Sequence, residues 1–135
     1  MATTFKVRYK NHCTPQEQIS SGGRYYLDSD CGRKLTGTCD TDADIGATGN
    51  YEASKSVTTT GSECEIVTAG NNYEFLFIKN TGSQDIYISL AGNSAGKYVI
   101  ILSQGEAFAS EIHVDANVFA KTSSGTSTIE HYEAK

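Results

Sequence analysis

Histidines and carboxylates are the residues of this sequence with the clearest chemical potential, and one short run brings them together. His113 stands beside Glu111 and Asp115, and on a strand the Glu-x-His spacing places both side chains on one face. Such a pair is compatible with a metal site or with acid–base chemistry. The sequence supplies no third partner for it, and His12 and His131 stand alone, so a structural role is favoured.

A second candidate site is an acidic run in which Asp40, Asp42 and Asp44 alternate with other residues. Alternating carboxylates are able to converge on one hard cation, and calcium prefers oxygen ligands. The calcium-loop pattern, however, requires Gly at its sixth position and Glu at its twelfth, where this sequence has Ile45 and Tyr51. We therefore treat the three aspartates as weak metal candidates and favour a solvated acidic turn.

The cysteines show neither the spacing of a zinc site nor the surroundings of a nucleophile. Cys64 is flanked by Glu63 and Glu65, whose charges raise a thiol pKa rather than lower it. We expect no secretory leader, which favours reduced thiols, and one or two disulfides are the alternative. The four positions are Cys13, Cys31, Cys39 and Cys64.

Several classes of function are disfavoured by what the sequence lacks. It contains no serine-nucleophile elbow, no phosphate-cradling glycine loop and no dinucleotide fingerprint, so we expect no catalytic activity and no cofactor. The net charge of −5 argues against a nucleic-acid partner. No run of about eighteen apolar residues occurs, so we expect no membrane-spanning segment.

The elements that must position any site are short strands, and the clearest ones lie between Tyr73 and Leu102. The run Tyr73–Lys79 is apolar, Asp85–Leu90 alternates between apolar and polar residues, and Tyr98–Ser103 is apolar again. Runs of this length, bounded by Gly, Asn and Ser, are typical of antiparallel strands joined by short loops. Counted over the whole chain, about eight or nine such strands predict an all-β antiparallel β-sandwich or jelly roll.

Two of these strands are unusual because both of their faces are apolar. In the first, Leu76 and Ile78 oppose Phe75 and Phe77, and Tyr98–Ser103 shows the same pattern. A strand that is buried on one side only alternates between apolar and polar residues. We therefore expect the outer face to be covered by the N-terminal segment or by a second subunit.

The N-terminal part of the chain has a weaker signal. Thr4–Tyr9 alternates like a strand, but residues 11–50 are rich in Gly, Thr, Asp and Ser, and only Arg24–Leu27 is strand-like. A run with so little apolar content does not build a core of its own. The sequence thus predicts a loop-rich extension over residues 1–55, which carries the intersubunit contacts, and a sandwich domain over residues 56–135.

The sandwich part carries a specific order of motifs. The run from Phe75 to Gly82 leads to Asp85–Leu90, and Ile101–Ala107 and Val118–Ser127 precede a short last strand. Over about residues 56–135, this order resembles the small β-sandwich virion proteins of tailed bacteriophages, notably the capsid decoration (cement) proteins. The resemblance implies a protein of the virion, assembled in the host cytoplasm, that binds the major capsid protein or other virion proteins and forms homo-oligomers.

The expected contacts with these partners lie on the first strand, on the tyrosine-rich piece and on the outer side of Tyr73–Lys79. They comprise Phe5, Val7, Arg8, Tyr9, Tyr25, Tyr26, Leu27, Leu76 and Ile78. The alternative functions are a tail or neck adaptor, a fibre component, or a carbohydrate-binding module that recognises the host. Eight tyrosines offer stacking platforms for sugars, whereas the absence of Trp counts against that alternative.

Overall fold

The computed structural model describes residues 9–13, 16–18, 22–27, 35–39, 49–59, 64–67, 75–92, 97–112 and 116–134. All regular structure in these residues is β-strand, which confirms the all-β prediction. The described part of the chain contains no helix that is long and apolar enough to cross a membrane. Chain contacts divide the protein into two compact units, one formed by Arg8–Asp42 and the other by Met1–Val7 with Ala43–Lys135.

In the described residues of the small unit, the strands form two antiparallel pairs. Strand β1 (Tyr9–Cys13) pairs with β4 (Leu35–Cys39), and β2 (Gln16–Gln18) pairs with β3 (Tyr25–Leu27). Of these four strands, the sequence predicted only β3 within residues 11–50. The others were missed because backbone N–H and C=O groups form the ladder, and such pairing does not require an apolar alternation.

The described residues of the large unit form eight strands. They are β5 (Gly49–Val57), β6 (Cys64–Val67), β7 (Phe75–Asn80), β8 (Ile86–Ser89), β9 (Tyr98–Leu102), β10 (Ala107–Glu111), β11 (Val118–Thr122) and β12 (Ser127–Ala134). They form two four-stranded sheets: the first has the order β10-β7-β12-β5 and the second has the order β6-β11-β8-β9. The predicted antiparallel sandwich is thereby confirmed.

The predicted boundary at residue 55 falls inside β5. This strand begins at Gly49, whereas the predicted sandwich domain begins at residue 56. Its first half was missed because Asn50 and Glu52 take the place of apolar residues in the pattern. These two side chains contact polar groups of β12 rather than the apolar core.

The order of the strands follows from one nested set of pairings. Strand β8 pairs with β9, β7 with β10, β6 with β11, and β5 with β12. These pairs describe a single long hairpin, which wraps so that β12 also pairs with β7 and β11 with β8. Eight antiparallel strands wrapped in this way into two sheets constitute a jelly roll.

The core lies between the two sheets. Ile78 and Ile129 of the first sheet and Ile86 and Ile88 of the second are fully buried and belong to one apolar cluster. Burial of such side chains stabilises the fold by about 1.5–3 kcal/mol each. The apolar positions of the alternating pattern in β8 therefore lie on its inner face, as the sequence indicated.

Strand β7 corrects one prediction. Leu76 and Ile78 were expected on an outer face that contacts a partner, but they are 1% and 0% exposed and belong to the core. Their inward orientation follows from the pairing with β12, where they stand opposite Glu133 and His131. On the other face Phe75 is only 4% exposed, so the chain itself covers that position.

Asn80 joins the two sheets at the end of β7. Its buried side-chain amide donates hydrogen bonds to the carbonyl oxygens of Gln84 and Leu102, each at 2.8 Å. Its Oδ1 accepts hydrogen bonds from Gly82 N and Ser127 Oγ at 3.0 and 3.1 Å. One polar side chain thus fixes the turn after β7, the end of β9 and the start of β12, with all its hydrogen-bonding capacity used.

Candidate functional site

The residues predicted to bind partners are spread over different parts of the molecule. Phe5, Val7 and Arg8 lie outside the described residues. Those in the small unit are Tyr9, which begins β1, and Tyr25, Tyr26 and Leu27, which form β3. Tyr25 is 63% exposed and is therefore accessible for contacts, whereas Leu76 and Ile78 are buried in the large unit.

The structure describes only some of the residues that the sequence predicted for metal binding or acid–base chemistry. Asp40, Asp42, Asp44 and His113 lie outside the described residues. Within the residues that are described, no group of three or more His, Cys, Asp or Glu side chains is arranged to hold a metal ion.

Among the described aliphatic side chains of the sandwich, the two large ones that are exposed lie on β9, an edge strand of the second sheet. Val99 is 69% exposed and Ile101 is 57% exposed, and the two are separated by one residue. Ile101 stands opposite Tyr87 of β8, on the outer face of the sheet. We refer to Val99 and Ile101 as the β9 edge. An edge strand offers unpaired backbone groups beside its side chains, which makes it a natural place for contacts with another chain.

A β-bulge shapes the outer face of the second sheet next to this edge. The register between β8 and β9 shifts so that Ser89 stands opposite Tyr98, and Val99 is passed over. Bulges of this kind redirect a side chain to the other face of a sheet. Here the redirected residue is Tyr98, whose ring lies under Lys121 of β11, with Nζ 4.2 Å from the ring centroid.

The bulge helps to form a concave site that we call the outer cleft. Its described lining consists of Thr59, Tyr87, Tyr98, Lys121, Thr122 and Ser123, and its volume is about 410 Å³. Tyr87 and Lys121 are opposite each other on neighbouring strands. Clefts that bind small ligands lie in the range of about 300–1,000 Å³.

The walls of the outer cleft are fixed by hydrogen bonds. Thr122 N donates to the carbonyl oxygen of Thr58 at 3.1 Å, which holds the end of β5 beside the end of β11. Thr122 Oγ1 donates to the carbonyl oxygen of Gly125 at 2.8 Å. Gly125 has a φ of 63°, a left-handed conformation that glycine adopts without strain. The cleft is thus formed before any ligand enters.

A polar network with two buried members, His131 and Glu133, lies on the inner side of the first sheet and extends to its β5 edge. His131 Nδ1 is 2.8 Å from Glu133 Oε2, and its Nε2 is 3.2 Å from Glu52 Oε2. Asn50 Nδ2 donates to Glu133 Oε1 at 2.6 Å, and Lys55 Nζ lies 3.7 Å from Glu52 Oε2. A carboxylate oxygen only accepts, so both ring nitrogens of His131 carry protons in this arrangement.

This arrangement raises the pKa of His131. Burial alone lowers the pKa, but the hydrogen bonds and charges of Glu133 and Glu52 outweigh that effect. An imidazolium whose two N–H groups are both engaged has no lone pair to offer to a metal ion or to a substrate proton. The network therefore acts as a structural ion pair inside the sandwich.

Cys64 on β6 is a free thiol that is partly buried. Burial raises its pKa to about 11, while Lys55 lowers the pKa and Glu52 raises it by smaller amounts. The sequence predicted the same direction but attributed it to Glu63 and Glu65. The effective cause is partial burial at the edge of the core, where Cys64 packs against the apolar cluster.

Sequence reasoning missed both the polar network and the outer cleft. A signal for the first was present, because His131 and Glu133 have the same spacing of two as Glu111 and His113. The cleft had no comparable signal, since Tyr98 reaches it only through a register shift. Alternation along a strand does not reveal such a shift.

Comparisons of the whole chain with models of protein families, with curated proteins and with solved structures find no match.

Proposed function

We propose that this chain is a non-enzymatic structural protein of a tailed-phage virion, and that it decorates the assembled head. The observation that carries the proposal is the β9 edge, where Val99 and Ile101 expose 69% and 57% of their surface to solvent. Neighbouring exposed apolar side chains on an edge strand, unlike a single one, mark a contact surface. The partners are the major capsid protein or other virion proteins and further copies of this chain, and the location is the virion.

Two further features support the proposal. The jelly roll is a fold that viral capsid domains use, although a fold by itself does not determine a function. In addition, the buried histidine of the sandwich is held by two carboxylates and is not available for catalysis. A rigid module with weak individual contacts gains affinity when it attaches to many equivalent sites of a lattice.

The test is cosedimentation of the purified chain with emptied heads of the phage whose genome encodes it, together with native mass measurement of the chain alone. We expect saturable binding at a copy number set by the capsid lattice. The double variant Val99→Thr, Ile101→Thr should bind at least about tenfold more weakly, because each lost apolar contact contributes about 1–2 kcal/mol.

The matched control is Tyr51→Thr, which removes a 59% exposed side chain from β5, an edge strand of the other sheet. It should bind like the unchanged protein. Binding at only a few copies per particle would instead favour the tail or neck adaptor. Absence of binding to heads would refute decoration.

A further inference from the structure

The outer cleft combines three kinds of groups, and each kind binds a different part of a ligand. Tyr87 and Tyr98 provide aromatic rings, Thr59 and Ser123 provide hydroxyl groups, and Lys121 provides a cation. Among these described lining residues Lys121 is the one with a formal charge, and no carboxylate is present to neutralise it.

The aromatic rings select for a ligand with an apolar face. Tyrosine combines a flat apolar body with a polar tip, and its ring packs well against C–H groups. Tyr98 is held in place by the β-bulge and by Lys121, whose Nζ lies 4.2 Å from the ring centroid. An inorganic anion would leave these rings unused.

The hydroxyl groups and the cation select for a ligand that is polar at its edge and negatively charged. Ser and Thr hydroxyls both donate and accept, which suits the hydroxyl groups of a sugar. Lys121 is able to form a charge-assisted hydrogen bond with a carboxylate, and such bonds are stronger than neutral ones. A neutral apolar ligand would leave these groups without partners.

We propose that the outer cleft binds a sugar ring that carries a carboxylate, that is, a hexuronic acid or a related acidic sugar. The ring packs against the tyrosines, its hydroxyl groups bond with Thr59 and Ser123, and its carboxylate contacts Lys121. This site adjoins the β9 edge, since Tyr87 stands opposite Ile101, and it is tested on the chain without any virion.

The experiment is an amide NMR titration of the full chain with glucuronic acid. Glucose serves as the neutral match and sodium sulfate as the simple anion, all at constant ionic strength. We expect saturable shifts around Tyr87, Tyr98 and Lys121 with a Kd near about 1 mM, a range that suits a ligand of this size. Glucose and sulfate should each bind at least about tenfold more weakly.

Variants test whether the ligand binds in the outer cleft. Lys121→Gln should weaken glucuronic acid binding about tenfold, and Lys121→Arg should retain most of it because the charge is kept. Lys79→Gln, a change on the outer face of the first sheet, should leave the affinity unchanged. The amide spectrum of each variant shows in the same experiment that the fold is intact.

Three results would overturn the proposal. Equal affinity for glucose and glucuronic acid would exclude a role for the charge. Equal affinity for sulfate would show that the cleft is a simple anion site. No saturable shift up to about 50 mM ligand, far above the expected Kd, would show that no acidic sugar binds.

Discussion

His131 and Glu133 form an ion pair inside the sandwich: Nδ1 lies 2.8 Å from Oε2, and each side chain is 1% exposed. Their positions, two residues apart on β12, place both on the inner face of the first sheet. Removing charges from water is costly, and the hydrogen bonds from Asn50 and to Glu52 offset part of this cost. The pair consequently links the stability of the fold to pH.

We predict that the protein loses stability as the pH rises above 6.5, the ordinary pKa of histidine. The pKa of His131 is raised in the folded state above its ordinary value of 6.5, so its contribution is complete below that pH. The contribution disappears as the pH rises through the folded pKa. Urea unfolding at a series of pH values measures the slope of the free energy of unfolding against pH. This slope should be smaller in the variant Glu133→Gln. An equal slope in that variant would contradict the assignment to this pair.

Replacement of Asn80 by Asp should destabilise the fold by about 3 kcal/mol or more at neutral pH. The new carboxylate faces the carbonyl oxygens of Gln84 and Leu102, to which the amide donates in the native protein. Urea unfolding measures the loss. Ser83→Asp, which adds the same charge at an exposed position of the same turn, is the control and should change stability by less than about 0.5 kcal/mol.

Gly82→Ala should destabilise the fold by about 1–3 kcal/mol. A Cβ atom at this position would lie 2.6 Å from Thr128 N, and that backbone nitrogen cannot move without disturbing β12. The clash arises from close approach of the turn to β12, where Gly82 N also donates to the carbonyl oxygen of Thr128. Thermal unfolding compares this variant with Ser83→Ala, for which an unchanged midpoint is expected.

Leu76→Ala should cost about 2–5 kcal/mol because it opens a cavity in the core, where the side chain is 1% exposed. Val99→Ala, on the β9 edge, should cost less than about 1 kcal/mol. Urea unfolding of the two variants separates a core position from a surface position. Similar small losses in both would mean that Leu76 does not belong to the core.

Cys64 should react slowly with iodoacetamide in the folded protein. With the pKa at about 11, the thiolate fraction at pH 8 is about a hundredfold smaller than at the ordinary value of 9.0. Peptide mass spectrometry of protein alkylated with and without urea measures the ratio of rates at this residue. Equal rates in the two conditions would show that the thiol is not protected by the fold.

The sequence was sufficient to predict the strands whose apolar side chains meet at one face. Ile86 and Ile88 alternate with polar residues because they point into the core, so their burial could be foreseen. Strand β7 was located correctly, but the side that faces the core could not be chosen, since both faces are apolar. That choice depends on the register with β12, which is a contact between distant parts of the chain.

Polar parts of the fold were harder to predict. The first half of β5 was missed because Asn50 and Glu52 contribute hydrogen bonds rather than apolar surface. The position of Tyr98 in the outer cleft depends on a register shift, and a local pattern does not contain that information. The exposed character of Val99 and Ile101 likewise follows from the place of β9 at an edge of its sheet.

The central position of β12 between β7 and β5 has a consequence for synthesis of the protein. A nascent chain that has left the ribosome only as far as Gly125 contains β5 and β7, but it lacks the strand that bridges them. Since such distant pairings form slowly, the first sheet closes only after residues 127–134 have emerged from the exit tunnel. Until then, the edge of β7 that pairs with β12 lacks its partner.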